Sequence, residues 1–358
     1  MSGVKIGRIA GVAAVAALSG LGGLAWRRRQ EVLEVAPELR TPALYLPLAL
    51  YHPALIGLAQ RVRVMTDVVE GVTCERRLIP AGPGASGASV ASGASAGDEV
   101  PVFLYDTPER AAAVAAGGDP TGAVLWIHGG GHVMGEASMD HDLASRLAAE
   151  LAVPVVSVEY RLAPAHPFPA DVDDCFAALE WLRAQGASLG VDPERIAVAG
   201  ASAGGGIAAS VVQRAVDEGI TPCFQLLVYP MLDDRTVTRR DHDGRGRFAW
   251  TLASNKVAWA AYLGHPAGEP EDRPYAVPAR RESLAGMPPT WIGVGDLDLF
   301  VEEDLEYARR LRGAGVPCEV HLEPGMPHGA DITSDEAASM RAFRQRFVDA
   351  MRPALTAG

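Results

Sequence analysis

Ile196-Ala197-Val198-Ala199-Gly200-Ala201-Ser202-Ala203-Gly204 decides the fold. An apolar run enters a serine flanked by glycines at the G-x-S-x-G spacing, and a small-residue stretch from Gly205 to Val216 follows. The pattern predicts a strand feeding a helix through a turn so sharp that its central residue is held in a strained conformation. Only tiny neighbours tolerate such a turn, which accounts for Gly200 and Gly204. The strain pushes the Ser202 hydroxyl out to where a small molecule can reach it. Taken alone, the pentapeptide also fits a chance match in a Gly/Ala-rich loop, so other stretches have to support it.

Three do. His128-Gly129-Gly130-Gly131 follows Ala123-Val124-Leu125-Trp126-Ile127, an apolar run that reads as a buried strand. Glycines after such a strand leave backbone N–H groups unshielded, as acyl transfer requires at its oxyanion. The N–H of Ala203, just after the serine, would complete the set. A serine hydroxyl also needs a base. The chain has nine histidines, and His328, in Gly325-Met326-Pro327-His328-Gly329, has the right position after an expected strand, Cys318–Leu322. His321 lies inside that strand and reads as packing. Asp296 and Asp298 follow the expected strand Thr290–Val294, and either carboxylate could orient an imidazole. Spacing does not choose between them.

The chain resembles the hormone-sensitive-lipase-like branch of the α/β-hydrolases, which includes bacterial carboxylesterases and arylacetamide-deacetylase-like enzymes. The resemblance runs from about Val68 to the C-terminus. It rests on His128 to Gly131, on Glu159-Tyr160-Arg161-Leu162-Ala163-Pro164-Ala165-His166-Pro167-Phe168-Pro169, on the Ser202 elbow, on Gly293 to Glu303, and on Pro327-His328-Gly329. It implies a Ser202, Asp298, His328 triad, because Asp298 begins the family's Asp-x-Leu-type turn before an acidic pair. It implies an oxyanion hole of Gly130, Gly131 and Ala203. It implies a mostly parallel eight-stranded sheet flanked by helices, with a helical cap. The implied activity is hydrolysis of short-to-medium acyl or aryl esters through an acyl-enzyme. Alternatives are an amidase or deacetylase with the same triad, or a ligand-binding receptor on a hydrolase scaffold. The plant gibberellin receptor is of that last kind but lacks the catalytic histidine, whereas His328 is present here. The chain departs from the family at Ala201, usually Asp or Thr, and at Ala165, usually Glu.

Composition agrees. With 358 residues and 48% hydrophobic content, the chain can bury one large α/β core. A net charge of −12 opposes nucleic-acid binding. Cys74, Cys175, Cys223 and Cys318 lack C-x-x-C spacing and read as isolated thiols. His128 and His132 mimic a helical metal pair, but glycines fill the gap, so no metal is expected, and no cofactor. Asp171, Asp173 and Asp174 fall at a predicted helix start, Asp171–Gln185, where the dipole favours them. The oligomeric state is not legible.

Further strands are expected at Val72–Ile79, Val100–Tyr105, Val153–Val158, Ile196–Ala199 and Phe224–Tyr229, alternating with helices such as Asp140–Leu151. Low-complexity residues 81–97 read as a hairpin insertion without a chemical role, and 67–358 as the catalytic domain. Residues 1–30 carry an apolar run, Ile9–Trp26, between Lys5 and Arg8 and the block Arg27-Arg28-Arg29. Three readings compete: a membrane anchor, a cleaved export signal, and a tail of a cytoplasmic protein. The arginine block suits a stop-transfer flank and puts the anchor, hence membrane association, first. Residues 31–66 read as cap helices, joined by a cap insertion at about 232–262 that carries Phe248, Trp250 and Trp259, with Trp259 expected in the core.

Overall fold

The computed structural model describes residues 26–46, 52–61, 64–81 and 99–356. Eight strands form one sheet: β1 (Thr73–Pro80), β2 (Glu99–Asp106), β3 (Thr121–Ile127), β4 (Val155–Val158), β5 (Val191–Ala201), β6 (Phe224–Val228), β7 (Thr290–Gly295) and β8 (Cys318–Glu323). Their order is β1-β2-β4-β3-β5-β6-β7-β8. β2 runs antiparallel to β1 and β4, and every pairing from β4 through β8 is parallel. Six longer helices are α1 (His141–Leu151), α2 (Ala170–Ala184), α3 (Ala203–Asp217), α4 (Leu252–Leu263), α5 (Val301–Gly313) and α6 (Ala338–Leu355), and all but α4 pack on the sheet. This is the α/β-hydrolase architecture that the resemblance implies.

The inner strands are continuous apolar runs because both faces are covered. Ala123, Leu125 and Ile127 of β3 enter the core under α2, α3 and α5, while Val124 and Trp126 enter the core under α1 and α6. β4 starts at Val155 rather than Val153: Pro154 has no N–H for the ladder, though its carbonyl accepts from Val124 at 3.0 Å. β6 stops at Val228 because Tyr229 turns to φ 37°.

Residues 26–34 are helical, and Val32, Val35 and Leu39 are buried against the α6 side of the sheet. Arg28 lies 4.5 Å above the Phe248 ring and donates to the carbonyls of Leu44 and Arg247. A third apolar cluster joins Ile56 to Trp250, Trp259, Tyr262 and Phe300, so Trp259 is fully buried there. β1 and β2 pair as a hairpin from Thr73↔Asp106 to Pro80↔Glu99. Most of the low-complexity segment between them, 82–97, and the apolar run 9–25 lie outside the described residues.

Candidate active site

The first side chain is set by the backbone. Ser202 joins β5 to α3 at φ 56°, ψ −122°, a strain of order 1–3 kcal/mol that its surroundings must hold. They do so through three hydrogen bonds. Its N–H donates to Val228 at 2.9 Å, and its carbonyl accepts from Gly206 at 3.1 Å and Met231 at 2.9 Å. The flanking glycines are required by crowding: a Cβ on Gly200 would lie 2.3 Å from the Gly204 oxygen, and one on Gly204 2.1 Å from the Ile127 oxygen. The close approach of β3 to the start of α3 therefore fixes both.

Ser202 Oγ lies 2.9 Å from His328 Nε2, and His328 Nδ1 lies 2.7 Å from Asp298 Oδ2. Asp298 is fully buried, and its other oxygen accepts the Phe300 N–H at 3.0 Å. With Nδ1–H turned to that carboxylate, Nε2 is free to take the hydroxyl proton. Asp296 is spent elsewhere, accepting the Gly325 N–H at 2.7 Å. The two aspartates that spacing leaves equivalent are thus separated by geometry. The rings of Tyr229, Phe300 and Trp250 surround the imidazole.

Beyond β3, Gly130 has φ 128° and Gly131 φ 62°. A Cβ on Gly130 would lie 1.9 Å from the Met134 oxygen, and one on Gly131 2.2 Å from Cη2 of Trp250. The N–H groups of Gly130, Gly131 and Ala203 find no acceptor among the described residues. His128 anchors the loop from behind: it stacks on Tyr160 at 4.2 Å, and its carbonyl accepts the Tyr160 hydroxyl at 2.9 Å. Burial pushes its imidazole down to about 4, so it is neutral near pH 7. His132, at φ 63°, holds Asp171 through Nδ1 at 2.7 Å and stacks on Tyr262 at 3.9 Å. Gln60 donates to the carbonyls of Val133 and Ala163 at 2.9 and 3.2 Å.

Among the described residues no three His, Cys, Asp or Glu side chains group as metal ligands. The acids at the start of α2 have named partners beyond the helix dipole: Asp171 with His132, Asp173 with Arg214 at 2.8 Å, and Asp174 with Arg161 at 2.7 Å. The four cysteines are free thiols.

Ser202 and His328 open onto a cavity of about 240 Å³ walled largely by Trp126, Met134, Leu143, Tyr229, Trp250 and Ile332. A larger hollow of about 730 Å³ shares no residue with it and is lined by paired charges such as Arg280 and Glu302. Only the smaller of the two reaches Ser202 and His328. Two acids in its wall went unread in the sequence. Asp140 accepts from Trp126 Nε1 and Asp331 from the Tyr229 hydroxyl, each at 2.7 Å. They sit in unremarkable stretches, and only the fold brings them to the cavity.

A family model described as alpha/beta hydrolase fold matches residues 124–332, and the chain belongs to that family. Among curated relatives, Esterase LipI of Mycobacterium tuberculosis is 41% identical over 210 residues, covering 58% of this chain and 64% of that protein. Ethyl acetate hydrolase of Pseudomonas putida is 33% identical over 236 residues, covering 65% of this chain and 71% of that one. Among solved structures, Bacterial Heroin Esterase is 33% identical with a TM-score of 0.75, covering 91% of this chain and 99% of that one.

Proposed function

We propose that the chain is a carboxylic ester hydrolase working through an acyl-enzyme. Ser202 Oγ attacks the ester carbonyl as His328 Nε2 takes its proton. Asp298 holds the imidazole and stabilises the imidazolium. The developing oxyanion accepts from the N–H groups of Gly130, Gly131 and Ala203. The alcohol leaves with the proton from His328, and water reverses the sequence to release the acid. The observation that carries this reading is the relay of 2.9 and 2.7 Å contacts at the sheet's C-terminal edge. The names of the relatives and the apolar cavity support short-to-medium acyl or aryl esters.

Residues 31–66 and 232–262 serve as the cap over a catalytic domain of 67–358. Support comes from Ile56 packing with Trp250, and from Gln60 gripping the loop that carries Gly130 and Gly131. Composition of the apolar run before Arg27 supports membrane association through the N-terminus.

Ser202→Ala should lower turnover of p-nitrophenyl acetate by roughly 10⁴-fold or more while the fold is retained. A variant as fast as the parent would overturn the assignment.

A further inference from the structure

We propose that the cavity beside Ser202 selects esters bearing a fixed positive charge, with Asp140 and Asp331 receiving an ammonium group while the ester carbonyl lies at Ser202. This rests on the hydrolase reading and narrows its substrate class. The two acids come from different elements: Asp140 from the turn before α1, Asp331 from the short helix Ala330–Thr333 after His328. Both line the cavity that holds Ser202, yet they are only 8% and 5% exposed. Each spends one oxygen on an aromatic donor, Asp140 Oδ2 on Trp126 and Asp331 Oδ1 on Tyr229. Among the described residues, no other side chain donates to Asp140 Oδ1 or Asp331 Oδ2.

The surroundings offset that charge only in part, through Arg344 and His328 near Asp331. Past Met139, Leu143 and Ile332 the cavity meets a second hollow of about 330 Å³, where Asp67 and Asp335 add to the acid character. Arg344, the cation lining that hollow, is held by the carbonyls of Asp331 and Asp335 at 2.9 and 2.6 Å. Burial first, and then the neighbouring Asp331, raise Asp140 to about 6. Two carboxylates that disfavour each other's ionisation in an apolar wall gain from a cation placed between them. Trp126, Tyr229 and Trp250 add aromatic rings to the wall, and aromatic rings attract quaternary ammonium groups. An ester carrying a carboxylate meets repulsion instead.

The test compares pairs of equal shape with the purified full chain in a pH-stat. Acetylcholine is set against neohexyl acetate, with the charge on the alcohol. The methyl ester of γ-trimethylammonio-butyrate is set against its all-carbon isostere, with the charge on the acyl group. The readout is the ratio of kcat/KM, cation over neutral, so any general loss of activity divides out. The ratio should reach about tenfold in at least one pair and fall to within about twofold of unity in Asp140→Asn and Asp331→Asn. Asparagine keeps an acceptor oxygen for Trp126 or Tyr229, removes the charge, and turns the other oxygen into an NH2 donor. Tetramethylammonium should also compete with the neutral ester in the wild type, a result independent of variant folding. A wild-type ratio at or below one in both pairs overturns the proposal, as does a ratio that survives in both variants. Neutral esters cleaved without cation preference would sink this proposal alone. If neither member of either pair is turned over, the hydrolase reading fails and this falls with it.

Discussion

Gly131 shows how much one hydrogen atom in place of a methyl group can matter. Its φ of 62° favours glycine, and the Trp250 ring occupies the space where a Cβ would stand. Gly131→Ala should therefore move either the amide or the ring, and lower kcat by about 10²-fold with a smaller change in KM. The double variant Gly131→Ala/Trp250→Ala should regain part of the loss, since the clash is gone. Steady-state kinetics on p-nitrophenyl acetate checks both, and an unaltered kcat in the single variant would remove Gly131 from the oxyanion hole. At this scale the sequence announces Ser202 and the glycine loop because local backbone geometry demands glycine at fixed spacings. It does not announce His132 with Asp171, or Asp140 with Asp331. Those pairs lie far apart in the chain and obey no spacing rule, so only tertiary packing reveals them.

Strands were the most legible elements because a parallel strand covered on both faces must be apolar throughout. The early part of β5 was not, since Asp192, Pro193 and Glu194 carry no such signal, yet Val191 pairs with Thr121 across a register shift from the rest of the β3–β5 ladder. α5 holds a cost that only packing discloses. Its first turn carries Glu303, whose carboxylate accepts from the Leu232 and Asp233 N–H groups and so ties the segment after β6 to the element behind Asp298. The next residue, Asp304, is fully buried, and neither carboxylate oxygen has a partner among the described residues. Burial, reinforced by Glu303 and Asp298, raises its carboxyl well above the usual range. The folded state therefore keeps a proton that the unfolded chain gives up, and stability from this group is lost as pH rises above the unfolded value. Asp304→Ala should raise the urea midpoint by an amount equivalent to about 1 kcal/mol at pH 8 and by less at pH 4. A variant less stable than the parent at both pH values would contradict that reading.

The whole molecule divides into a sheet that sets positions and covering segments that shape access. Residues beside Ser202 converge because His128, Ser202, Tyr229, Asp298 and His328 all follow the C-terminal ends of parallel strands, where such folds place their sites. The order serine, aspartate, histidine was readable from motifs; the mutual distances were not. Arg28, in the block read in the sequence as a membrane flank, donates to carbonyls of the body, and Arg27 and Arg29 are exposed. Removing residues 1–25 should shift the protein from the membrane to the soluble fraction of lysed cells while esterase activity persists; equal soluble recovery of both forms would dispose of the anchor. The relay itself is tested most directly by treating the protein with a p-nitrophenyl phosphonate and mapping the adduct by peptide mass spectrometry. The account predicts one phosphonyl group, on Ser202, with labelling slowed severely in His328→Ala. A label on any other residue, or labelling at an undiminished rate without the imidazole, would contradict it.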